Sequence, residues 1–153
     1  MLNLYINSGA TLFNYFKDKE SGNIKYRKTY LKGVFWDDNK QSNVVKSGLA
    51  TIESVLICVP FDVDTEGKTY KSPKEYGKLS DEEKDNSFTL VANSQDLIVK
   101  GIIDYDIDNT NKQTISESLA YLRNNYDSVM TISVVDEKDY GSEHMRHWEI
   151  GGK

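Results

Sequence analysis

The segment that most constrains the fold is the apolar run Val55 to Val59, which ends at Pro60. A short run of this kind, rich in β-branched residues, is typical of a strand covered on both faces of its sheet. Proline cannot donate a ladder hydrogen bond, so the strand should end there. We therefore predict a central core strand between Leu49 and Phe61, and the rest of the chain must supply the layers that cover it.

Further strands are predicted where polar and apolar residues alternate. Turn residues gather between Lys17 and Asn23, so we expect residues 11–16 and 25–36 to form a hairpin. A second hairpin is expected where the turn-like segment 92–96 separates two apolar runs. The other predicted strands cover residues 2–6 (Leu2, Leu4 and Ile6 alternate), 87–91, 97–103 and 129–135.

One amphipathic helix is predicted after Thr114. Thr114-Ile-Ser-Glu117 has the pattern of a capping box, and the apolar residues that follow it share one helical face. With 153 residues the chain has the length of a single domain. We predict one mainly β (α+β) domain over residues 1–153, an antiparallel β-barrel or sandwich with this helix and a long polar loop insertion.

The loop insertion, residues 62–87, is called the excursion below. Its sequences Ser72-Pro-Lys-Glu75 and Ser80-Asp-Glu-Glu83 are capping-box patterns that predict short helical turns. Loops of this length in a small domain are either functional or disordered. The excursion residues that we expect to contact other proteins are Asp64, Glu66, Lys68, Tyr70, Tyr76, Glu82 and Glu83.

The segment 140–153 is predicted to be a glycine-bounded tail that docks on an adjacent subunit. The tail residues expected to make such contacts are Tyr140, His144, Arg146, His147 and Trp148. A formal charge of −5 argues against a protein that clamps nucleic acid. The sequence also has no apolar run long enough to span a bilayer and no leader-like start, so we expect no membrane partner.

Two clusters resemble metal-binding sequences only in part. Asp104, Asp106 and Asp108 begin like a calcium loop, but the expected glycine and bidentate glutamate are missing from the later loop positions. His144 and His147 lie near carboxylates, at a spacing that separates them on a strand. We interpret the aspartates as a solvated strand edge and the histidines as polar contacts around Trp148.

The single cysteine, Cys58, is interpreted as a buried small hydrophobic residue, because both histidines are far away in sequence. The sequence contains no phosphate-binding glycine loop, no nucleophile elbow and no paired zinc spacing. We therefore predict no catalytic residue, no cofactor and no bound metal, and a protein that acts by binding other proteins.

Three segments resemble a family of small tailed-phage proteins from phages and prophages of low-GC Gram-positive bacteria: Tyr30–Trp36, Asp96–Gly101 and Asp139–Lys153. The resemblance implies a virion component of the head–tail region. A mainly β domain with one helix is similar to the stopper, or head-completion, ring. Such a ring would join the portal–adaptor complex to the tail terminator, hold packaged DNA that passes through its lumen, and be assembled in the bacterial cytoplasm.

Three alternatives remain open. A tail terminator or tail tube protein would also be structural. A metal-dependent binding module or enzyme, using the clusters at 104–108 and 144–147, is the alternative of another class. The third is a host-directed binding protein that works alone, as a monomer associated with no particle.

Overall fold

The computed structural model of the protein describes residues 6–37, 42–45, 48–51, 55–92, 95–108, 114–142 and 145–152. Its strands are β1 (Ser8–Lys17), β2 (Ile24–Asp37), β3 (Ser42–Val45), β4 (Gly48–Thr51), β5 (Val55–Pro60), β6 (Thr69–Tyr70), β7 (Ser87–Phe88), β8 (Leu97–Lys100), β9 (Val129–Lys138) and β10 (His147–Gly152). Its helices are α1 (Pro73–Tyr76), α2 (Asp81–Asp85) and α3 (Ile115–Asn125).

Six strands form the main sheet, in the order β1-β2-β5-β10-β9-β8. Every neighbouring pair is antiparallel, and β8 pairs with β1 as well as with β9, so the pairings close into a ring. The predicted mainly β, antiparallel fold with one amphipathic helix and a polar insertion is confirmed. Two short pairs, β3 with β4 and β6 with β7, lie outside this ring.

The hairpin of β1 and β2 forms as the sequence predicts. Thr11 pairs with Tyr30 and Lys17 with Ile24, and the turn closes with a hydrogen bond from Gly22 N to Asp18 O. Gly22 has φ +70°, a left-handed backbone conformation that is costly for a residue with a side chain. The turn residues therefore set the strand register locally.

The predicted core strand is confirmed in its second half. β5 lies between β2 and β10, ends at Pro60, and buries Ile57 and Val59 completely. Its other face is only partly covered, because Leu56 is 39% exposed. The prediction of one strand from Leu49 is wrong, because β4 pairs with β3 instead; residues 52–54 lie outside the described part of the chain.

Two apolar clusters form the core. The larger lies inside the ring of strands and includes Ile57, Trp148 and Ile150. The second lies beneath α3, where Leu122 packs with Phe13. The predicted N-cap of α3 is present, with Thr114 Oγ1 accepting a hydrogen bond from Glu117 N. Because Phe13 alternates with residues of the larger cluster along β1, the helix covers the outer face of the sheet.

The predicted hairpin between residues 87–91 and 97–103 is wrong. β7 pairs in parallel with β6, and β8 pairs with β1 and β9. The physical reason is a buried polar network at the turn: Asp96 accepts hydrogen bonds from Tyr15 N at 2.8 Å and from Asn14 Nδ2 at 3.0 Å. These bonds hold the chain against β1 rather than against β7.

The predicted terminal strands also differ from the structure. Residues 2–5 lie outside the described part, and Ile6 precedes β1 as an exposed residue without regular structure. Residues 147–152, expected to be a docking tail, form β10 between β5 and β9. The alternation of Trp148 and Ile150 toward the core gives this segment the pattern of a half-buried strand.

Candidate functional site

The excursion is folded against the sheet. Tyr70 and Phe61 both pack against Trp148 in tilted orientations with ring centroids 4.4 Å away, and Phe88 adds an edge contact to Trp148 at 6.4 Å. Tyr76, the last residue of α1, is buried. Three of these residues, Tyr70, Tyr76 and Trp148, were predicted to contact partners, but they help to build the protein's own interior.

Arg27 fastens the second helix of the excursion to the sheet. Its guanidinium lies 3.8 Å above the ring of Phe16, and its Nε donates to Asp85 Oδ1 at 2.9 Å. A second carboxylate, Asp81, lies 3.6 Å from Nη2. The side chain of Arg27 is only 10% exposed, so packing holds this cation in place between β2 and α2.

Lys68 has a structural task too. Its ammonium donates to the main-chain oxygen of Lys28 at 2.6 Å and contacts Thr29 Oγ1 at 3.2 Å. Burial lowers the pKa of Lys68, because the charged form loses water. This predicted contact residue therefore ties the excursion to β2.

The remaining predicted residues of the excursion are exposed. Asp64 O accepts from Lys32 N at 2.9 Å, and the carboxylate of Glu66 pairs with Lys32 Nζ at 2.8 Å. Glu83 closes the capping box with Ser80, while Glu82 extends from α2. Residues 62–87 contain eight carboxylates and five lysines, so the excursion presents an acidic outer surface with a formal charge of −3.

The aspartates at 104–108 lie in a segment without regular structure, after the end of β8. Their expected placement on a strand edge is therefore wrong. Lys28 Nζ lies 2.9 Å from Asp106 and 3.8 Å from Asp104. Burial is the largest influence and acts against its charge, but the hydrogen bonds and charges of Asp106 and Tyr30 together outweigh it, and the pKa of Lys28 is raised. Lys28 thus pairs with two of the three carboxylates that a calcium loop would use.

Of the predicted tail residues, Tyr140 is 69% exposed and Arg146 pairs with Asp139 at 3.3 Å. His144 lies outside the described residues. Trp148 is 3% exposed and faces the core, so the expected docking of this side chain on a neighbouring subunit is corrected. The chain itself supplies the surface that covers it.

His147 lies on the face of β10 opposite Trp148. There it comes close to two other residues, and the sequence did not suggest this group of three. Glu149 pairs with Cys58 across the β10–β5 ladder, and His147 pairs with Pro60. One ligand atom from each of Cys58, His147 and Glu149 lies within 4.8 Å of the other two. We call these three residues the Cys–His–Glu group.

The imidazole of His147 is held on both sides. Its Nδ1 lies 2.8 Å from Met145 O, and its Nε2 lies 3.1 Å from Glu149 Oε1. The side chains of His147 and Glu149 are 16% and 33% exposed, and Cys58 is buried. The group is therefore half-buried on the outer face of the sheet and open to solvent on one side.

The surroundings of Cys58 disfavour its thiolate. Burial, followed by the negative charges of Glu149 and Asp37, raises the pKa of Cys58 to about 11. Without a cation, the sulfur stays a neutral thiol at neutral pH. A bound cation would reverse this preference, since it stabilises the thiolate.

Sequence reasoning missed the Cys–His–Glu group for a specific reason. The alternation of residues 147–152 puts His147 and Glu149 on one face, which is readable from the sequence. The register that places Glu149 opposite Cys58 depends on pairing between segments far apart in the chain. No local pattern reports that register.

The fold and this group define a small mainly β domain that carries a half-buried set of thiol, imidazole and carboxylate ligands. Over residues 5–153 the chain matches the model of a family of unknown function, DUF6751, and it belongs to that family. No curated protein and no solved structure gives a significant match. Among the described helices, none is long and apolar enough to cross a membrane.

Proposed function

We propose that this protein is a structural component of a tailed-phage virion, most specifically the stopper ring that joins the portal–adaptor complex to the tail. The resemblance of three segments to small tailed-phage proteins supplies the biological setting. In this proposal the protein works without catalysis, as a ring of identical copies in the neck, with DNA passing through the lumen.

The observation that carries the proposal is the folded, acidic excursion. Its inner side is fixed by the aromatic contacts of Tyr70 and by the ion pairs of Arg27. A surface that is already ordered loses little conformational entropy when a neighbour binds it. The excursion is therefore suited to serve as one half of a repeated head-to-tail contact.

The charge of this surface also fits a DNA channel. Carboxylates of the excursion such as Glu82 are exposed, and the protein as a whole carries a formal charge of −5. Acidic groups repel phosphates, so DNA would slide through the ring rather than adhere to its wall. This is the property required of a passage for packaged DNA.

The direct test is cryo-electron microscopy of particles from a host that expresses this chain, together with mass spectrometry of their separated necks. The stopper proposal expects a symmetric ring between the adaptor and the tail. A ring at the end of the tail tube would favour the terminator alternative, and repeated rings along the tail would favour the tube protein. Absence of the chain from the particles would overturn the virion proposal.

A charge reversal tests the role of the excursion. Deleting the excursion would also remove the partly buried Tyr70 and the buried Tyr76, so a single exposed residue is the sharper choice. We expect Glu82→Lys to reduce the yield of tailed, DNA-filled particles. The matched control is Glu20→Lys, which makes the same charge change in the exposed β1–β2 turn. Equal yields from the two variants would contradict an interface at the excursion.

A further inference from the structure

We infer that Cys58, His147 and Glu149 form a binding site for one divalent transition-metal ion of the zinc type. This inference is independent of the proposed virion function. It rests on the geometry of the three side chains and on the chemistry of their ligand atoms.

The hydrogen bonds of His147 orient a lone pair into the group. Met145 O can only accept, so Nδ1 must carry the proton of that 2.8 Å contact. In the neutral imidazole, Nε2 then presents a lone pair toward Glu149 Oε1, which is also an acceptor, at 3.1 Å. Two facing acceptors require a proton or a cation. Fixing one ring nitrogen on a backbone carbonyl is how proteins orient metal-binding histidines.

The distances suit a zinc-sized ion. Two nitrogen or oxygen ligands about 2.0–2.1 Å from a tetrahedral zinc lie about 3.3 Å apart, close to the observed separation of Nε2 and Oε1. The ligand atom of Cys58 lies within 4.8 Å of the other two. A tetrahedral zinc holds a sulfur ligand about 3.5 Å from a nitrogen or oxygen ligand, so Cys58 would have to approach by no more than about 1.3 Å. A thiolate, an imidazole and a carboxylate are all ordinary zinc ligands.

A proton on Nε2 would satisfy the contact between His147 and Glu149, but it would make no bond to Cys58. Cys58 is buried and lies opposite Glu149 across the β10–β5 ladder, with its ligand atom within 4.8 Å of the other two. A divalent cation would accept a lone pair from all three side chains at once. The metal therefore accounts for the full arrangement, whereas a proton accounts for two of its three members.

Three protein ligands leave one coordination position of a tetrahedral ion open. The partial exposure of His147 and Glu149 lets solvent reach that position. The ion would also cross-link β5, which carries Cys58, to β10, which carries the other two ligands. We expect metal binding to raise the melting temperature of the protein, because the ion binds only the folded arrangement.

The test is a titration of the purified full-length chain with Co²⁺ after removal of metals by a chelator. The chain contains one cysteine, so a thiolate-to-cobalt charge-transfer band can arise only from Cys58. We expect this band to saturate at one equivalent of Co²⁺ and to disappear when Zn²⁺ is added. Zn²⁺ alone should raise the melting temperature.

Variants locate the ion. We expect Cys58→Ser to abolish the band, and His147→Gln and Glu149→Gln each to weaken Co²⁺ binding at least about tenfold. The control Glu137→Gln removes a carboxylate from the opposite face of neighbouring β9 and should bind as the wild type does. The band of the wild type needs no variant, so the test stands even if a variant folds poorly.

Either of two results would overturn the proposal. The first is a wild-type protein without the charge-transfer band in the presence of excess Co²⁺, which would leave a proton shared by His147 and Glu149. The second is equal Co²⁺ affinity in the wild type, His147→Gln and Glu149→Gln, which would place the ion elsewhere. Neither result bears on whether the protein occupies the virion neck.

Discussion

Replacing Trp148 with alanine separates a core role from a docking role for β10. The indole is 3% exposed and packs against Phe61 and Tyr70 with centroid distances of 4.4 Å. Truncating a buried Trp to Ala costs about 3–5 kcal/mol, and an aromatic pair contributes about 0.5–1.5 kcal/mol beyond its buried area. With two aromatic partners, we expect the upper part of that range, about 4–5 kcal/mol, for Trp148→Ala.

Urea unfolding followed by far-UV circular dichroism measures this loss in the isolated protein. Trp148→Phe keeps an aromatic ring and should cost about 1–2 kcal/mol, less than half as much. Tyr140→Ala, at a position 69% exposed, should stay within about 0.5 kcal/mol of the wild type. If Trp148→Ala unfolds like the wild type yet fails to assemble, the core role is refuted and the tail contact expected from the sequence is restored.

Three further predictions concern other buried groups. Asn14→Ala leaves the carboxylate of Asp96 without one of its donors and should cost about 2–3 kcal/mol in chemical denaturation. Because burial already raises the pKa of Asp96, this cost should shrink as acid protonates it; a pH-independent cost would refute the explanation. Arg27→Ala should speed hydrogen exchange of the α2 amides at least about tenfold, with Lys25→Ala as the unaffected control; equal exchange would contradict anchoring by Arg27. In chelator-treated protein, burial raises the pKa of Cys58 from 9.0 to about 11, so the unfolded thiol ionises first as pH rises. The free energy of unfolding should then fall by about 2 kcal/mol between pH 9 and 11, and Cys58→Ala should lack this component.

The sequence was sufficient to predict the elements that depend on interactions between residues close together in the chain. The turn between Lys17 and Asn23 sets the β1–β2 hairpin through contacts only a few residues apart. The caps of α1, α2 and α3 are hydrogen bonds between a hydroxyl and an amide three residues later. Such interactions depend only on the residues of one short segment, so they can be predicted from a single sequence.

Elements that depend on distant partners were not predictable in the same way. The turn residues before Leu97 suit a hairpin, but Asn14 binds Asp96 from 82 residues away and draws the strand to β1. The glycines near residue 152 suggest a loose tail, yet Gly152 is required for packing: a Cβ there would lie 2.9 Å from Met130 Cβ. Tertiary contacts outweighed local propensity in both places.

The Cys–His–Glu group was the feature least predictable from the sequence. Its residue types were visible, and His147 was already a candidate for polar contacts. The register of β10 against β5 places His147 and Glu149 close to Cys58. This register is set by the burial of Trp148 and Ile150 on the other face of β10. A shift of one residue would turn His147 and Glu149 toward the core and remove the group.

The location of β10 also determines when the six-strand sheet can close during synthesis. Within the described residues, β5 and β9 meet only through β10, which is made after both of them. While residues 147–152 remain inside the ribosome, each of those strands has an unpaired edge, and such edges attract other chains. Pairing between segments so distant in the chain is also slow compared with hairpin formation. The emergence of β10 is therefore the event that pairs both of these edges.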